Sequence, residues 1–311
     1  MSMAEKTSKA ATRKPAALQA GDLIAVIAPG AAVDAAALSA GVRFIERAGF
    51  RVQLGNAARN RSGYLAGTDI ERVNDLHDAF ADPEIKGILT ARGGYGSGRL
   101  LDRLDVDLIR KNPKVFVGHS DITFVMNVIV QQVRAVAFHG PMVCGLDRQP
   151  EAAAAMLGMI GGSRAGWHQA AAEVIQPGIA EGILAGGCLS ALVATIGTEH
   201  QIVTEGRLLF IEDVNEKPFR VDRMLTHMRQ AGLLDDVAGV MFGEMFGCTA
   251  GPDEAVTVRD VVREAFRDAS YPVAFGLSSG HGSGTVTLPL GVRARLAGER
   301  LALLESPLAE Q

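Results

Sequence analysis

Ser120 is the side chain of this sequence best placed for nucleophilic chemistry. It stands in Lys114-Val-Phe-Val-Gly-His-Ser-Asp-Ile-Thr123, directly after an apolar run and before a helix-like stretch, Thr123 to Gln132. A serine at such a strand-to-helix corner points its hydroxyl out at the carboxyl edge of a parallel sheet, where open α/β proteins bind ligands. The next backbone N–H, that of Asp121, would then face a developing oxyanion together with the helix N-terminus. Ser and Asp are also good helix caps, and taken alone the pair reads better as a cap.

A serine nucleophile needs a base, and His281 offers one. It lies in Gly280-His-Gly-Ser-Gly284, a loop whose glycines let an imidazole approach another domain closely. A carboxylate to hold that imidazole is supplied by Glu212, at the end of the apolar run Arg207 to Ile211. Asp213 and Glu216 compete for this role, and each could instead pair with Lys217, Arg220 or Arg223 on the surface. A glycine loop, Arg92-Gly-Gly-Tyr-Gly-Ser-Gly-Arg99, follows another apolar run and would bring backbone N–H groups to the same sheet edge. Its G-G-x-G-x-G spacing lacks the last glycine of a dinucleotide fingerprint. No H-E-x-x-H or H-x-x-x-H pair occurs, so no metal site is expected.

These residues need a scaffold, and the chain alternates short apolar runs with helical periodicity. Strands are read at 23–28, 51–54, 87–90 and 115–118, and helices at 35–48, 69–80, 100–109 and 123–132. Short buried strands alternating with helices imply a parallel sheet covered on both faces. From Asp147 to Gly178 the pattern weakens, apart from a short helix over Glu151 to Met159. Beyond it the chain is richer in strands, with Arg207 to Asp213, Val237 to Phe242 and several runs after Gly284 around a helix at 220–230. The division expected is therefore an N-terminal domain over 18–150, a linker over 151–180 and a β-rich domain over 181–306.

Bulk properties exclude several classes. The 311 residues suit two domains, and 48% hydrophobic content with 36 glycines suits an α/β fold rather than a disordered one. A formal net charge of −4 with no basic face argues against nucleic acid as a partner. Apolar runs are too short for a bilayer, which needs about 20 residues, so no membrane association is expected. Residues 1–17 read as a disordered tail with no secretory character. Cys144, Cys188 and Cys248 are odd in number and unpaired in spacing, which favours free thiols and a cytoplasmic protein.

Seven groups of residues, taken in order, resemble the LD-carboxypeptidase A family of serine peptidases, which includes the microcin C self-immunity peptidases. They are Gly21 to Pro29, Arg92 to Gly96, Gly118 to Thr123, His139-Gly-Pro141, Gly186-Gly187 with Gly197-Thr198, Ile211 to Val214 with Glu216 to Pro218, and Gly280-His281. The resemblance implies a flavodoxin-like N-terminal domain, a β-barrel-like C-terminal domain, and a triad of Ser120, Glu212 and His281. It implies an acyl-transfer reaction that removes the terminal D-alanine from murein tetrapeptide, with the backbone N–H groups of Gly94 and Asp121 as the oxyanion hole. Arg92 or Arg99 would meet the leaving carboxylate, and His119 would pack or touch substrate. No cofactor is implied, and a homodimer is. Two positions depart from the family pattern: Cys188 replaces the usual Asn, and His119 replaces a residue more often aromatic. The alternatives are an immunity-type peptidase acting on aminoacyl nucleotides, disfavoured because 140–178 offers only Trp167 for stacking, and a non-catalytic small-ligand binder.

Overall fold

The computed structural model describes residues 12–163, 167–251 and 255–310. Most of the expected tail lies outside them. From Arg13 onward the chain is tied down rather than loose: Arg13 donates its backbone N–H to Arg134 at 2.8 Å, and Lys14 pairs with Glu305 at 2.8 Å.

The first half runs β1 (Leu23–Ile27), α1 (Ala35–Arg47), β2 (Arg51–Leu54), α2 (Asp69–Ala81), β3 (Ile85–Thr90), α3 (Val106–Lys111), β4 (Val115–Gly118), α4 (Thr123–Val128) and β5 (Ala137–His139). After α5 (Pro150–Ile160) come β6 (His168–Ala170), β7 (Glu173–Gln176), β8 (Ile179–Cys188), α6 (Leu189–Val193), β9 (Arg207–Val214), α7 (Pro218–Gln230) and β10 (Gly239–Phe246). The chain ends with α8 (Val258–Ala265), β11 (Val273–Phe275), β12 (Leu288–Leu290), β13 (Arg293–Ala297) and β14 (Arg300–Leu303). The helix expected over 100–109 is broken: a 3-10 turn covers Ser97–Arg103, and the chain restarts as α3 because the Asp105 carboxylate caps the N–H of Leu108. The segment expected to link the domains carries α5, β6 and β7.

The first sheet has the order β12-β5-β4-β3-β1-β2, parallel except for β12. Strands 2-1-3-4-5 in that order are the flavodoxin-like arrangement, whose crevice opens where the order reverses, between β1 and β3. β1 shows why such strands read as continuous apolar runs. Ile24 and Val26 pack on one face with Leu38 and Ile45 of α1 and Met156 of α5. Ala25 and Ile27 pack on the other with Val73, Leu76 and Phe80 of α2. Each such fully buried aliphatic side chain contributes roughly 1.5–3 kcal/mol.

The second sheet has the order β6-β14-β13-β8-β9-β10-β11-β7, with β8 to β11 parallel and the outer strands antiparallel. The expected barrel is not closed. The edge strands β6 and β7 are successive stretches of chain joined through Ala171 and Ala172, whose N–H groups bond Glu299 and Phe275 on opposite edges. The sheet therefore curls until its two ends share one extended segment, while the described residues form no β6–β7 ladder. β12 leaves this half to pair with β5, so the two sheets are stitched together near His139.

Candidate active site

Ser120 sits where β4 ends and a 3-10 turn, Ser120–Ile122, leads into α4. Its φ of +61° is left-handed, a conformation that a non-glycine residue adopts at a cost of about 1–3 kcal/mol and that here turns the side chain out of the sheet edge. The glycine loop after β3 allows this. A Cβ on Gly93 would lie 2.9 Å from Ser120 Cβ and 3.2 Å from both Ser120 Oγ and the Asp121 nitrogen, so only glycine leaves the hydroxyl its space. The buried Asp121 carboxylate ties the same loop down by accepting from the N–H groups of Gly96 at 3.1 Å and Ser97 at 2.8 Å. Burial raises its pKa in spite of those bonds. Asp121 thus braces the loop with its side chain while its backbone N–H borders Ser120.

Across the cavity, His281 Nδ1 stands 2.6 Å from Glu212 Oε2. A carboxylate at this distance accepts, so Nδ1 carries the proton and Nε2 presents its lone pair in the neutral ring. His281 Nε2 is buried and has no hydrogen-bond partner among the described residues. Burial alone would lower the His281 pKa, but the bond and charge of Glu212 outweigh it and the net shift is upward. Burial likewise opposes ionisation of Glu212, and the two imidazoles of His139 and His281 overcome it, holding the carboxyl well below the usual range.

The loop that carries His281 is itself anchored. Thr285 Oγ accepts from Gly280 N–H and donates back to Gly280 O at 2.8 Å, and Glu244 accepts from Gly282 N–H at 2.7 Å. Gly280, at φ +151°, leaves no room for a side chain between Glu244 and Glu212. Of the competing acids, Asp213 accepts from the N–H of Ser190 at the start of α6 and from that of its neighbour Val214, and Glu216 pairs with Arg220 at 3.6 Å. Neither is on His281. Cys188 lies opposite Glu212 in the β8–β9 register, and burial drives its pKa well up, so it is a neutral thiol 3.3 Å from Ser190 Oγ.

Ser120, His119, His281, Arg92 and Gly94 line one cavity of about 630 Å³. Arg92 also donates to Ala32 O at 3.2 Å. His119 Nδ1 donates to Gly140 O at 2.9 Å, its ring meets that of His281 edge-on at 4.9 Å, and burial lowers its pKa to about 3, so it is neutral. Arg99 does not join them: it is paired with Asp69 at 3.0 Å and lies outside the cavity lining. Asp34, Cys144 and Arg148 also line the cavity, and behind it Glu244 holds the N–H of Gly282 and His139 lies against Glu212. A run of apolar residues before a polar one marks Glu212 in the sequence; the same pattern precedes His139 and Glu244, while nothing local marks Asp34 or Arg148. The described residues offer one acidic and histidine grouping for a metal, Asp102, Glu199 and His200, away from this cavity and with His200 already bonded to Asp102 at 2.8 Å.

The family model described as LD-carboxypeptidase N-terminal domain matches residues 24–140, and that described as LD-carboxypeptidase C-terminal domain matches 181–296. A probable murein peptide carboxypeptidase of Bacillus subtilis is 39% identical over 305 residues, covering 96% of each chain. A murein tetrapeptide carboxypeptidase of Pseudomonas aeruginosa is 31% identical over 290 residues, covering 89% of this chain and 94% of that one. Among solved structures, muramoyltetrapeptide carboxypeptidase from Oxalobacter formigenes has a TM-score of 0.80 at 29% identity, covering 92% of this chain and 99% of that one. A microcin C7 self-immunity protein has a TM-score of 0.86 at 24% identity, covering 95% and 99%, which shows a shared fold. With both family models matched in order and relatives aligned over nearly the whole length, the chain belongs to the LD-carboxypeptidase family and is a hydrolase of the serine carboxypeptidase type.

Proposed function

We propose that this chain releases the terminal D-alanine of murein tetrapeptide, with Ser120 as nucleophile, His281 as base and Glu212 as the acid that orients it. The observation that carries the reading is the state of His281: Nδ1–H committed to Glu212, and Nε2 without a hydrogen-bond partner among the described residues, on a side chain lining the same cavity as Ser120. Ser120 Oγ attacks the scissile carbonyl as its proton passes to Nε2, and Glu212 stabilises the imidazolium without taking the proton. The N–H groups of Asp121 and Gly94 meet the oxyanion, each worth ~100- to 1,000-fold in turnover. His281 then protonates the leaving amine, and water, deprotonated by the same ring, frees the shortened peptide. Arg92, with Arg148 at the cavity rim, supplies positive charge for the carboxylate of the departing D-alanine.

Nucleotide-linked substrates are less well supported. Trp167, the aromatic residue available in 140–178, packs against both hydrophobic cores and is not part of the cavity lining. We also place the protein in the cytoplasm, where murein fragments are recycled, and read it as a homodimer by family resemblance. Among the described residues no helix is long and apolar enough to cross a membrane. Incubation with murein tetrapeptide, followed by mass spectrometry, should give free D-alanine and tripeptide. An intact tetrapeptide, with an aminoacyl nucleotide cleaved instead, would move the assignment to the immunity branch.

A further inference from the structure

His139 ends β5 in the first sheet, is fully buried, and reaches across to the second sheet. Its ring stands edge-on to Phe210 at 5.0 Å, and its Nε2 lies 3.5 Å from Glu212 Oε1, the oxygen that His281 does not use. Both atoms are buried and have no conventional hydrogen-bond partner among the described residues, yet they face each other. Two lone pairs buried in that position would repel, whereas one proton between them satisfies both. On its other side, His139 Nδ1 lies 3.4 Å from Ser279 Oγ, which also stands 2.8 Å from Val286 O; with the ring proton on Nε2, Nδ1 is an acceptor that shares the Ser279 hydroxyl with that carbonyl.

We propose that His139 is a positioning residue whose Nε2–H donates to Glu212 Oε1, so that the carboxylate is clamped between two imidazoles, one that exchanges protons with substrate and one that does not. The clamp fixes the rotamer of Glu212 and keeps the carboxylate ionised. It also joins the sheet that carries the nucleophile to the strand that carries the acid, a task the His139-Gly-Pro141 segment performs through its side chain. This proposal rests on the triad reading above. By withdrawing charge from Glu212, the His139 proton moderates the pull of the carboxylate on His281. Removing it should raise the pKa of His281, since the other groups facing the pair stay in place: His119 on the ring of His281, Cys188 and Asp213 beside Glu212, and Glu244 beneath Gly282.

The test combines His139→Phe, which has no donor, with His139→Gln, whose amide can replace Nε2–H, and uses NMR of histidine-labelled resting enzyme beside turnover. Wild-type His139 should show a protonated Nε2. His139→Phe should shift the His281 titration to higher pH and lower kcat by about 10- to 100-fold with KM little changed, and His139→Gln should restore most of both. An unprotonated His139 Nε2 in the wild type overturns the proposal even where His139→Phe fails to fold. A His281 titration unmoved in folded His139→Phe overturns it even if turnover falls, because the residue is then only packing. Wild-type protein that leaves murein tetrapeptide intact would sink the assigned function instead, and the NMR arms would still decide the role of His139.

Discussion

The two sides of the cavity hold the proposed nucleophile and the proposed acid–base pair by different means. On the β4 side, Ser120 is placed by backbone: a left-handed φ, a glycine loop pressed against it, and Asp121 pinning that loop through main-chain N–H groups. On the β9 side, Glu212 and His281 are placed by side-chain hydrogen bonds in a buried, charged network. A nucleophile needs direction more than charge, and backbone supplies direction. An acid–base pair needs its proton distribution set, which only neighbouring charges and burial can do. The β4 side should therefore be sensitive to volume and the β9 side to charge.

The largest effect should come from charge without volume. Glu212→Gln keeps the shape of the side chain but removes the carboxylate, and kcat is expected to fall roughly 1,000- to 10,000-fold with the fold intact by circular dichroism. Glu216→Gln, which only loses its pairing with Arg220, should stay within a few-fold of wild type. In the wild type, kcat/KM should rise with pH through a midpoint above the ordinary imidazole value of 6.5, since His281 must be neutral to act and its shift is upward. A midpoint below that value would mean that the carboxylate does not control the ring.

Volume without charge is the converse. Gly93→Ala adds one methyl where 2.9 Å is available, and the displaced hydroxyl should cost about 100-fold in kcat with no change in the pH midpoint. A shift of the midpoint in this variant would show the two sides to be coupled rather than separate. The smallest effects are expected at the rim. Arg92→Ala should raise KM roughly 10-fold through loss of a charged contact to the leaving carboxylate, whereas Arg99→Ala should leave steady-state kinetics unchanged, because its guanidinium is occupied by Asp69 outside the cavity.

The same contrast explains what was legible in the sequence. Apolar strands ending in a polar residue exposed both Ser120 and Glu212, because parallel strands buried on two faces leave their carboxyl ends as the place for chemistry. His281 was visible through its glycine neighbours. Long-range pairing was not visible. Nothing near His139 shows that it meets Glu212, 73 positions away in sequence, and nothing near Leu288 shows that β12 joins the other sheet. β6 and β7 are too short to show a period, and neither has a fully buried residue to mark an inner face. Arg99 follows the same logic: its place at the end of the glycine loop points to the cavity, but a carboxylate on α2 holds its side chain outside the lining.

Labelling with a fluorophosphonate at neutral pH, followed by peptide mapping, tests most directly whether Ser120 is a nucleophile activated from across the cavity. The account predicts one adduct, on Ser120, formed far more slowly in His281→Ala and absent in Ser120→Ala. An adduct on another serine, or one on Ser120 that forms at the wild-type rate without His281, would contradict it.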